Sequence, residues 1–306
     1  MKIVVTGGAG FIGSHIVDAY LERGHDVCVL DNLSTGKKEY LNKKARFYEV
    51  DIRNQKEIEQ IFLKEKPDIV NHHAAQMDVR KSVADPKFDA DVNIMGFLTL
   101  LELGRLSGVK KVIFASSGGA IYGDAEILPT PEDYSPHPAS PYGISKLVSE
   151  YYLDFYRQAY GITYVALRYG NVYGPRQNPH GEAGVVAIFT QRLIQKEAPT
   201  IYGDGTQTRD FVFVDDVVSA NIKALEYPSS LTCNIGTGIQ TDVNTVFSTL
   251  KQITMSSLNK MHAGARVGEQ KVSVLDCKKA NEKLGWQAQS SLDEGLKKTV
   301  DYFKTL

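Results

Sequence analysis

Short apolar runs alternate with longer amphipathic segments through the first half of the chain. Apolar runs of this length, bounded by turn residues, are typical of strands buried on both faces of a parallel sheet. The pattern predicts strands at residues 3–5, 27–30, 47–50, 69–71, 112–115 and 164–167. It predicts helices at residues 11–22, 88–107 and 142–160. This alternation predicts an α/β fold with a doubly wound parallel sheet and right-handed crossovers.

The pattern changes after about residue 173, where turn residues become denser and the predicted elements become shorter. We therefore expect a first domain over residues 1–172 and a smaller C-terminal α/β domain over residues 173–306, with segments near 210–240 returning to the first domain. Ser291 and Glu294 have the spacing of a capping box, which predicts the start of a final helix.

Composition narrows the possible partners. The 306 residues carry a formal net charge of −1, so the chain has no overall basic field that would gather nucleic acid. Its 3 cysteines are far apart and form no CxxC pair, which favours reduced thiols over disulfides or a metal site. No apolar run approaches the roughly 20 residues that a membrane-spanning helix needs. We expect a cytoplasmic protein without membrane or nucleic-acid partners.

A glycine-rich turn joins the first predicted strand to the first helix. Gly7, Gly10 and Gly13 form GxxGxxG, a variant of the dinucleotide-binding fingerprint. Glycines there keep the turn tight and let a pyrophosphate approach the backbone, while the helix N-terminus offers unpaired N–H groups. In this position the motif predicts a Rossmann-type domain, although a glycine-rich turn can also form without a ligand.

Asp31 ends the second predicted strand. A carboxylate at this place accepts hydrogen bonds from the adenosine ribose and repels a 2′-phosphate. The next residues, 32–34, contain no arginine. The pattern therefore predicts NAD rather than NADP as the cofactor.

Tyr142 and Lys146 are four residues apart on a predicted helix, so their side chains share a face. A free tyrosine has a pKa of about 10, and a nearby ammonium group lowers the pKa of the phenol. The pair is thus a candidate base near neutral pH. Such pairs are common on exposed helices, so this prediction depends on the glycine-rich turn.

These motifs resemble the extended short-chain dehydrogenase/reductase family over nearly the whole chain. The resemblance is carried by TGGAGFIG at 6–13, HAAQ at 73–76, YxxxK at 142–146, RYGNVYGPR at 168–176 and RDFVFVDD at 209–216. Within that family the sequence is most similar to the UDP-glucose 4-epimerases. The resemblance implies a C4 epimerase of UDP-glucose and UDP-galactose, in which hydride passes to a permanently bound NAD and returns to the other face of a 4-keto sugar.

The resemblance also implies residue roles. Tyr142 takes the proton of the sugar 4-hydroxyl, and Lys146 lowers the pKa of that tyrosine and binds the nicotinamide ribose. The implied cofactor-binding residues are Gly7, Gly10, Phe11, Ile12, Gly13, Asp31, Asn32, Asp51, Ile52, Ala74, Ala75, Gln76, Asn93, Tyr142 and Lys146.

One catalytic position departs from the family pattern. Many members have Ser or Thr four residues before a tyrosine that corresponds to Tyr122, and this chain has Gly118 there. We expect Ser117 to supply the hydroxyl, with Ser116 as the alternative, because the neighbouring glycines can let the backbone bulge and redirect the side chain.

The next two residues, Gly119 and Ala120, separate related reactions. Related 4,6-dehydratases carry an Asp–Glu pair at these positions, and related UDP-glucuronate decarboxylases carry Glu at the second. Neither acid is present here. The sequence therefore favours epimerisation at C4, with a 4-ketoreductase or a decarboxylase as alternatives and a non-catalytic NAD-sensing regulator as a further one.

The second half of the chain supplies the expected UDP-sugar site. Arginines suit the diphosphate because a guanidinium group matches phosphate oxygens in a fork. The implied substrate-binding residues are Ser117, Asn171, Val185, Val186, Tyr202, Arg209, Arg266, Glu269 and Ser273.

Two further expectations follow from the resemblance. Ser273 matches a position beside the sugar C2 substituent, where small residues admit N-acetylated sugars, so UDP-GlcNAc and UDP-GalNAc are possible additional substrates. The predicted helices at 88–107 and 142–160 resemble the pair that forms a dimer interface in this family, so we expect a homodimer.

Overall fold

The computed structural model of the chain describes residues 1–180, 184–265 and 270–306. Arg266 and Glu269, two predicted substrate-binding residues, lie outside the described residues. The strands are β1 Lys2–Thr6, β2 Asp26–Asp31, β3 Arg46–Glu49, β4 Ile69–His72, β5 Lys111–Ser117, β6 Thr163–Tyr169, β7 Asn171–Tyr173, β8 Thr200–Tyr202, β9 Thr208–Arg209, β10 Phe211–Phe213, β11 Leu231–Ile235, β12 Thr241–Asp242 and β13 Met261–Ala263.

The helices follow the same chain order. They are α1 Phe11–Glu22, α2 Gln55–Glu65, α3 Val79–Ala84, α4 Pro86–Ala90, α5 Gly96–Ser107, α6 Gly118–Ile121, α7 Pro141–Tyr160, α8 Val185–Ile194, α9 Val214–Glu226, α10 Val243–Ile253, α11 Lys278–Leu284 and α12 Leu292–Phe303. In the described part of the chain, no helix is both long and apolar enough to cross a membrane.

A seven-stranded parallel sheet in the order β11-β6-β5-β4-β1-β2-β3 forms the centre of the fold. The doubly wound sheet predicted from the sequence is thereby confirmed. Its seventh strand, β11, comes from the second half of the chain and pairs with β6. The strand order reverses between β1 and β4, so the carboxyl ends of these two strands flank the crevice where such sheets bind ligands.

Apolar side chains cover both faces of this sheet. On one face, Tyr20 and Trp286 pack with the strands, α9 and α11. On the other face, Phe62, Phe97 and Phe114 pack among α2, α5 and β5. Fully burying a large apolar side chain contributes about 1.5–3 kcal/mol, so the two layers hold the carboxyl ends of the strands in place.

A second, smaller core lies among α8, α10, α12 and the short strands of the second half of the chain. Phe189, Phe213 and Phe247 are central to it. The predicted capping box at Ser291 and Glu294 is present at the start of α12. The predicted domain boundary near residue 172 stays a prediction.

The predicted helix at 88–107 is interrupted by a π-helical segment, Asp91–Met95, between α4 and α5. The chain enters α4 through Asp85, whose side chain accepts a hydrogen bond from the Phe88 N–H at 3.0 Å. Asn93 lies within the π segment and is 4% exposed. π segments are frequent at functional sites because they redirect a side chain within a continuous helix.

Candidate active site

The glycine-rich turn is bare backbone packed against the end of β4. Gly7 has φ +69°, and a Cβ atom on it would lie 2.6 Å from the Ala74 nitrogen. A Cβ atom on Gly13 would lie 2.2 Å from the Gly7 carbonyl oxygen. Gly10, at the start of α1, provides no capping side chain, so the first N–H groups of α1 are not satisfied by a cap. A cradle with no room for side chains fits the pyrophosphate of a dinucleotide.

Asp31 is placed to receive a ribose. Its carboxylate accepts hydrogen bonds from the Ala9 N–H at 3.0 Å and the Leu33 N–H at 2.8 Å. Burial raises the pKa of Asp31 above its ordinary value. Asn32 donates to the Asp51 carboxylate at 3.0 Å, so the two predicted adenosine-side residues are in contact. The predicted Ile52, by contrast, is 5% exposed and packs in the core, which leaves only its backbone for a ligand.

The loop after β4 is held by reciprocal hydrogen bonds. The Gln76 N–H donates to the Asn93 side chain at 2.8 Å, and the Asn93 side chain donates to the Gln76 carbonyl at 2.9 Å. The Ala74 N–H donates to the Thr6 hydroxyl at 3.2 Å. Asn93 therefore supports the loop that follows β4, and the loop residues Ala74, Ala75 and Gln76 stand beside the glycine-rich turn.

Helix α7 presents Tyr142 and Lys146 toward the carboxyl end of the sheet. The helix begins at Ser140, whose hydroxyl accepts a hydrogen bond from the Gly143 N–H at 3.1 Å, and Pro141 occupies its first turn. The Tyr142 N–H donates to the Ser82 hydroxyl at 3.2 Å. The Lys146 ammonium, 4% exposed, donates to the Ala115 carbonyl at 2.8 Å.

Burial dominates the proton affinity of both groups. It raises the pKa of Tyr142 to about 12, the negative charge of Asp89 acts in the same direction, and a hydrogen bond with Ser117 acts against it. It lowers the pKa of Lys146 to about 8. Loss of water disfavours the phenolate more than the hydrogen bond with Ser117 favours it, so the pKa of Tyr142 lies above its ordinary value. The prediction that Lys146 lowers the pKa of Tyr142 stays a prediction.

The two candidate serines have different partners. The Ser116 hydroxyl donates to the Glu150 carboxylate at 2.5 Å and is buried, whereas Ser117 hydrogen-bonds Tyr142. The expected glycine bulge is not seen, since Gly118 opens the short helix α6 directly after Ser117. A Cβ atom on Gly118 would lie 2.6 Å from Leu275, which gives a packing reason for glycine there.

The predicted substrate-binding residues are distributed along the second half of the fold. Asn171 begins β7, Tyr202 ends β8 and Arg209 ends β9. Ser273 is 5% exposed, and its N–H donates to the Thr208 carbonyl at 3.2 Å.

At the start of α8, Val185 and Val186 differ in exposure. Val186 is 1% exposed and packs in the smaller core, and Val185 is partly buried at its edge. Only the backbone of Val186 is therefore available to a substrate.

Sequence reasoning missed two fully buried carboxylates near these residues. Asp210 accepts hydrogen bonds from the N–H groups of Thr237, Gly238 and Leu275 at 2.7, 3.0 and 3.2 Å. It thus ties the end of β9 to two distant loops. The second missed carboxylate is Asp89, which accepts hydrogen bonds from Gln76 and Asn93. The only local signal was a charged residue four positions before Asn93 on a predicted helix.

The fold and the site define a dinucleotide-dependent enzyme with a tyrosine–lysine pair at the carboxyl end of a Rossmann-type sheet. The chain belongs to the NAD dependent epimerase/dehydratase family, whose sequence model matches residues 3–236. NAD as the cofactor, predicted from Asp31, agrees with this family.

Solved structures that are similar over nearly the full chain include three sugar-nucleotide epimerases. The UDP-glucose 4-epimerase of Thermotoga maritima, solved with UDP-glucose, is 53% identical with a TM-score of 0.98 and covers 100% of this chain and 99% of that chain. The UDP-glucose 4-epimerase of Thermus thermophilus, in complex with NAD, is 44% identical with a TM-score of 0.95 and coverage of 99% of both chains. The UDP-N-acetylglucosamine 4-epimerase of Methanobrevibacter ruminantium, in complex with UDP-N-acetylmuramic acid, is 36% identical with a TM-score of 0.94, covering 99% and 98%.

Proposed function

We propose that the chain is a UDP-hexose 4-epimerase that interconverts UDP-glucose and UDP-galactose. The observation that carries this proposal is the hydrogen-bonded pair of Ser117 and Tyr142, one turn of helix from the buried Lys146 and beside a glycine-lined dinucleotide cradle. A phenol and a neighbouring hydroxyl, without a further acid, suit oxidation and re-reduction at C4.

The cofactor-binding half of the proposal rests on the bare turn and its neighbours. The backbone of Gly10, Phe11, Ile12 and Gly13 would hold the pyrophosphate, and Asp31 would hold the adenosine ribose. Asn32, Asp51 and Ile52 would lie on the adenine side, with Ala74, Ala75 and Gln76 along the crevice between β1 and β4. Bound NAD supplies the acceptor and donor of hydride.

The chain's own groups manage the proton. Tyr142 takes the proton of the 4-hydroxyl and returns it, and Ser117 stabilises the developing phenolate through its hydrogen bond. Lys146, with its pKa lowered to about 8 by burial, contributes positive charge beside the phenol when protonated. Because Ser116 is bonded to Glu150, we assign the assisting hydroxyl to Ser117.

The alternatives lack a supporting group. At Gly119 and Ala120, which lie in α6, there is no carboxylate for dehydration or decarboxylation. A Cβ atom on Gly119 would lie 3.8 Å from the Asn171 side chain, so a larger residue here would point toward the proposed sugar site. The presence of both Tyr142 and Lys146 argues against a regulator without catalysis.

The proposed sugar nucleotide site combines Asn171, Arg209, Tyr202 and Ser273 from separate elements, and by resemblance Arg266 and Glu269. Arg209 provides charge for the diphosphate. Small Ser273 leaves room at C2, so we extend the proposal to UDP-GlcNAc and UDP-GalNAc as additional substrates.

One experiment tests the reaction directly. The purified protein is incubated with UDP-galactose, and separately with UDP-GalNAc, without added cofactor, and the sugar nucleotides are separated by chromatography. We expect UDP-glucose to form from UDP-galactose with no net NADH. Formation of a 4-keto, decarboxylated or dehydrated product would contradict the proposal, and a strict requirement for added NADH would favour the ketoreductase alternative.

We further propose a homodimer in the cytoplasm. Ile144, Tyr151 and Phe155 lie on one face of α7 and are 47%, 66% and 52% exposed. Met95 and Leu106 are 57% and 68% exposed on the neighbouring helical segment. An apolar face of this kind is typical of an interaction site. The reduced cysteines agree with the cytoplasm.

A further inference from the structure

Asp89 is a fully buried carboxylate at the centre of the site's hydrogen-bond network. One of its oxygens accepts hydrogen bonds from the side-chain amides of Gln76 at 3.1 Å and Asn93 at 3.0 Å. The other accepts a hydrogen bond from the Ser145 hydroxyl at 2.6 Å. All three donors are neutral, so they satisfy the oxygens without cancelling the charge.

These donors connect the two halves of the site. Gln76 lies in the loop after β4 that lines the proposed cofactor crevice. Ser145 lies on α7 between Tyr142 and Lys146, and it is 2% exposed. A single carboxylate therefore bonds both the cofactor loop and the catalytic helix, and a shift of either would break one of its hydrogen bonds.

The charges around Lys146 single out Asp89. Lys146 interacts with the negative charges of Asp89 and Glu150. Glu150 shares its charge with Arg168, whose guanidinium group lies 2.7 Å from it. His72, which ends β4, and His73, the next residue, also face Lys146. Burial keeps both neutral by lowering the pKa, to about 3 for His73.

Two other charged groups near α4 have contacts of their own. From α3, the Lys81 ammonium lies over the Phe88 ring at 4.5 Å from its centroid. From the π segment, Asp91 pairs with Arg53 at 2.9 Å. On the α7 side, the titratable groups that Asp89 influences are Tyr142 and Lys146.

We propose that Asp89 is a positioning residue for the epimerase reaction, and that its negative charge keeps Lys146 protonated beside Tyr142. This inference rests on the proposed function. A protonated amine is the form that stabilises the Tyr142 phenolate. The charge on Asp89 also raises the pKa of Tyr142, so its benefit to the pair is that it keeps Lys146 protonated as the pH rises.

Asp89→Asn separates charge from position. The asparagine carbonyl can accept from Gln76 and Asn93, and its amide can donate to the Ser145 oxygen, so the hydrogen bonds remain while the charge is removed. Burial lowers the pKa of Lys146 to about 8 and Asp89 opposes this, so the variant's Lys146 loses its proton at lower pH. We expect the alkaline limb of the kcat–pH profile to move down by about one pH unit, with NAD bound per chain unchanged.

Two controls distinguish this effect from general damage. Ser145→Ala removes one hydrogen bond and keeps the charge, so its alkaline limb should stay at the parent pH. Asp216 is another buried carboxylate, which accepts hydrogen bonds from the N–H groups of Gln289 and Ser290 at 2.9 and 3.1 Å. Asp216→Asn should lower the melting temperature and leave the alkaline limb in place.

The outcomes are separable. An active parent with an unmoved alkaline limb in Asp89→Asn overturns the inference alone, whereas a parent that epimerises no UDP-hexose refutes the proposed function and the inference with it. If Asp89→Asn fails to fold or to retain NAD, NMR of the Asp89 carboxyl and the Lys146 amine in the labelled parent protein tests the inference instead. An ionised Asp89 with a protonated Lys146 at neutral pH supports the inference, and a protonated Asp89 overturns it.

Discussion

Desolvation acts on the two central groups of the site in opposite directions on the pH scale. It raises the pKa of Tyr142 to about 12 and lowers the pKa of Lys146 to about 8, because in each case the charged form loses water. A neutral phenol and an easily deprotonated amine therefore stand one helical turn apart. Any added positive charge in the crevice would favour the phenolate, and the hydrogen bond with Ser117 already does so.

The first prediction concerns the base. Tyr142→Phe removes the hydroxyl that exchanges the sugar proton and keeps the ring, so we expect turnover of UDP-galactose to fall by about 10²–10⁴ while bound NAD is retained. Steady-state kinetics measure the turnover, and the absorbance of released cofactor measures the bound NAD. Tyr151→Phe, at an exposed position on the same helix, should keep parent turnover. Parent-like turnover in Tyr142→Phe would remove Tyr142 as the base.

The second prediction concerns the sugar pocket. Ser273 is buried beside Thr208, so a tyrosine there would occupy space that we assign to the C2 substituent. Ser273→Tyr should lower kcat/KM for UDP-GalNAc by about tenfold or more, the size of steric discrimination in a small pocket, and spare UDP-galactose. Parallel assays of the two substrates measure this ratio. An equal fall in both activities would show that Ser273 does not line the C2 side.

At the scale of elements, the N-terminal ends of α1 and α7 contribute to the site. The turn before α1 has no side chains at Gly7 and Gly13, because the backbones of these two residues are in close contact. Helix α7 begins after the N-cap residue Ser140, so Tyr142 lies in its first turn. The π segment between α4 and α5 turns Asn93 toward the loop after β4. Each of these features orients backbone or side chains toward the same crevice.

The third prediction tests the bare turn. In Gly13→Ala the new Cβ atom would lie 2.2 Å from the Gly7 carbonyl oxygen, so the turn must shift. We expect a loss of stability of about 1–3 kcal/mol, as for other overpacked positions, and a large loss of bound NAD. Denaturant unfolding and cofactor content after purification measure both. Gly264→Ala, at a position with nothing within 4 Å, should match the parent. Full NAD content in Gly13→Ala would argue against pyrophosphate binding at this turn.

At the scale of the whole molecule, the large sheet contains strands from both halves of the chain. Strand β11 returns from the second half of the chain to the edge of the sheet, so the two halves of the chain cannot separate as independent units. Asp210 adds hydrogen bonds from the end of β9 to the loops at Thr237 and Leu275. The proposed substrate residues on the second half are thus fixed relative to Tyr142 and Lys146.

The fourth prediction concerns assembly. Phe155→Glu places a charge in the middle of the exposed apolar face of α7, and burying that charge in an interface is costly. We expect the dimer dissociation constant to rise by about 30-fold or more, as for a central interface residue. Light scattering coupled to gel filtration measures it. Met255→Glu, where Met255 is 88% exposed on another surface, should remain dimeric. A monomeric parent would contradict the proposed homodimer.

The sequence by itself determined the strand–helix alternation, the glycine-rich turn, the tyrosine–lysine spacing and the capping box at Ser291. These features are local: periodicity reports which face is buried, and turn chemistry reports backbone conformation, so neighbouring residues carry the whole signal. The predicted parallel sheet and NAD-dependent family were confirmed on this basis.

Only the tertiary structure decided the partnerships between distant residues. It paired Asp89 with Ser145 and joined Asp210 to two distant loops. It also placed the Ser116 hydroxyl against Glu150 and Ser117 against Tyr142. It also buried Tyr142, which raises the pKa of this phenol above its ordinary value. Burial and long-range contacts depend on how the whole chain packs, and no local pattern in the sequence encodes how much water a phenol or an amine will lose.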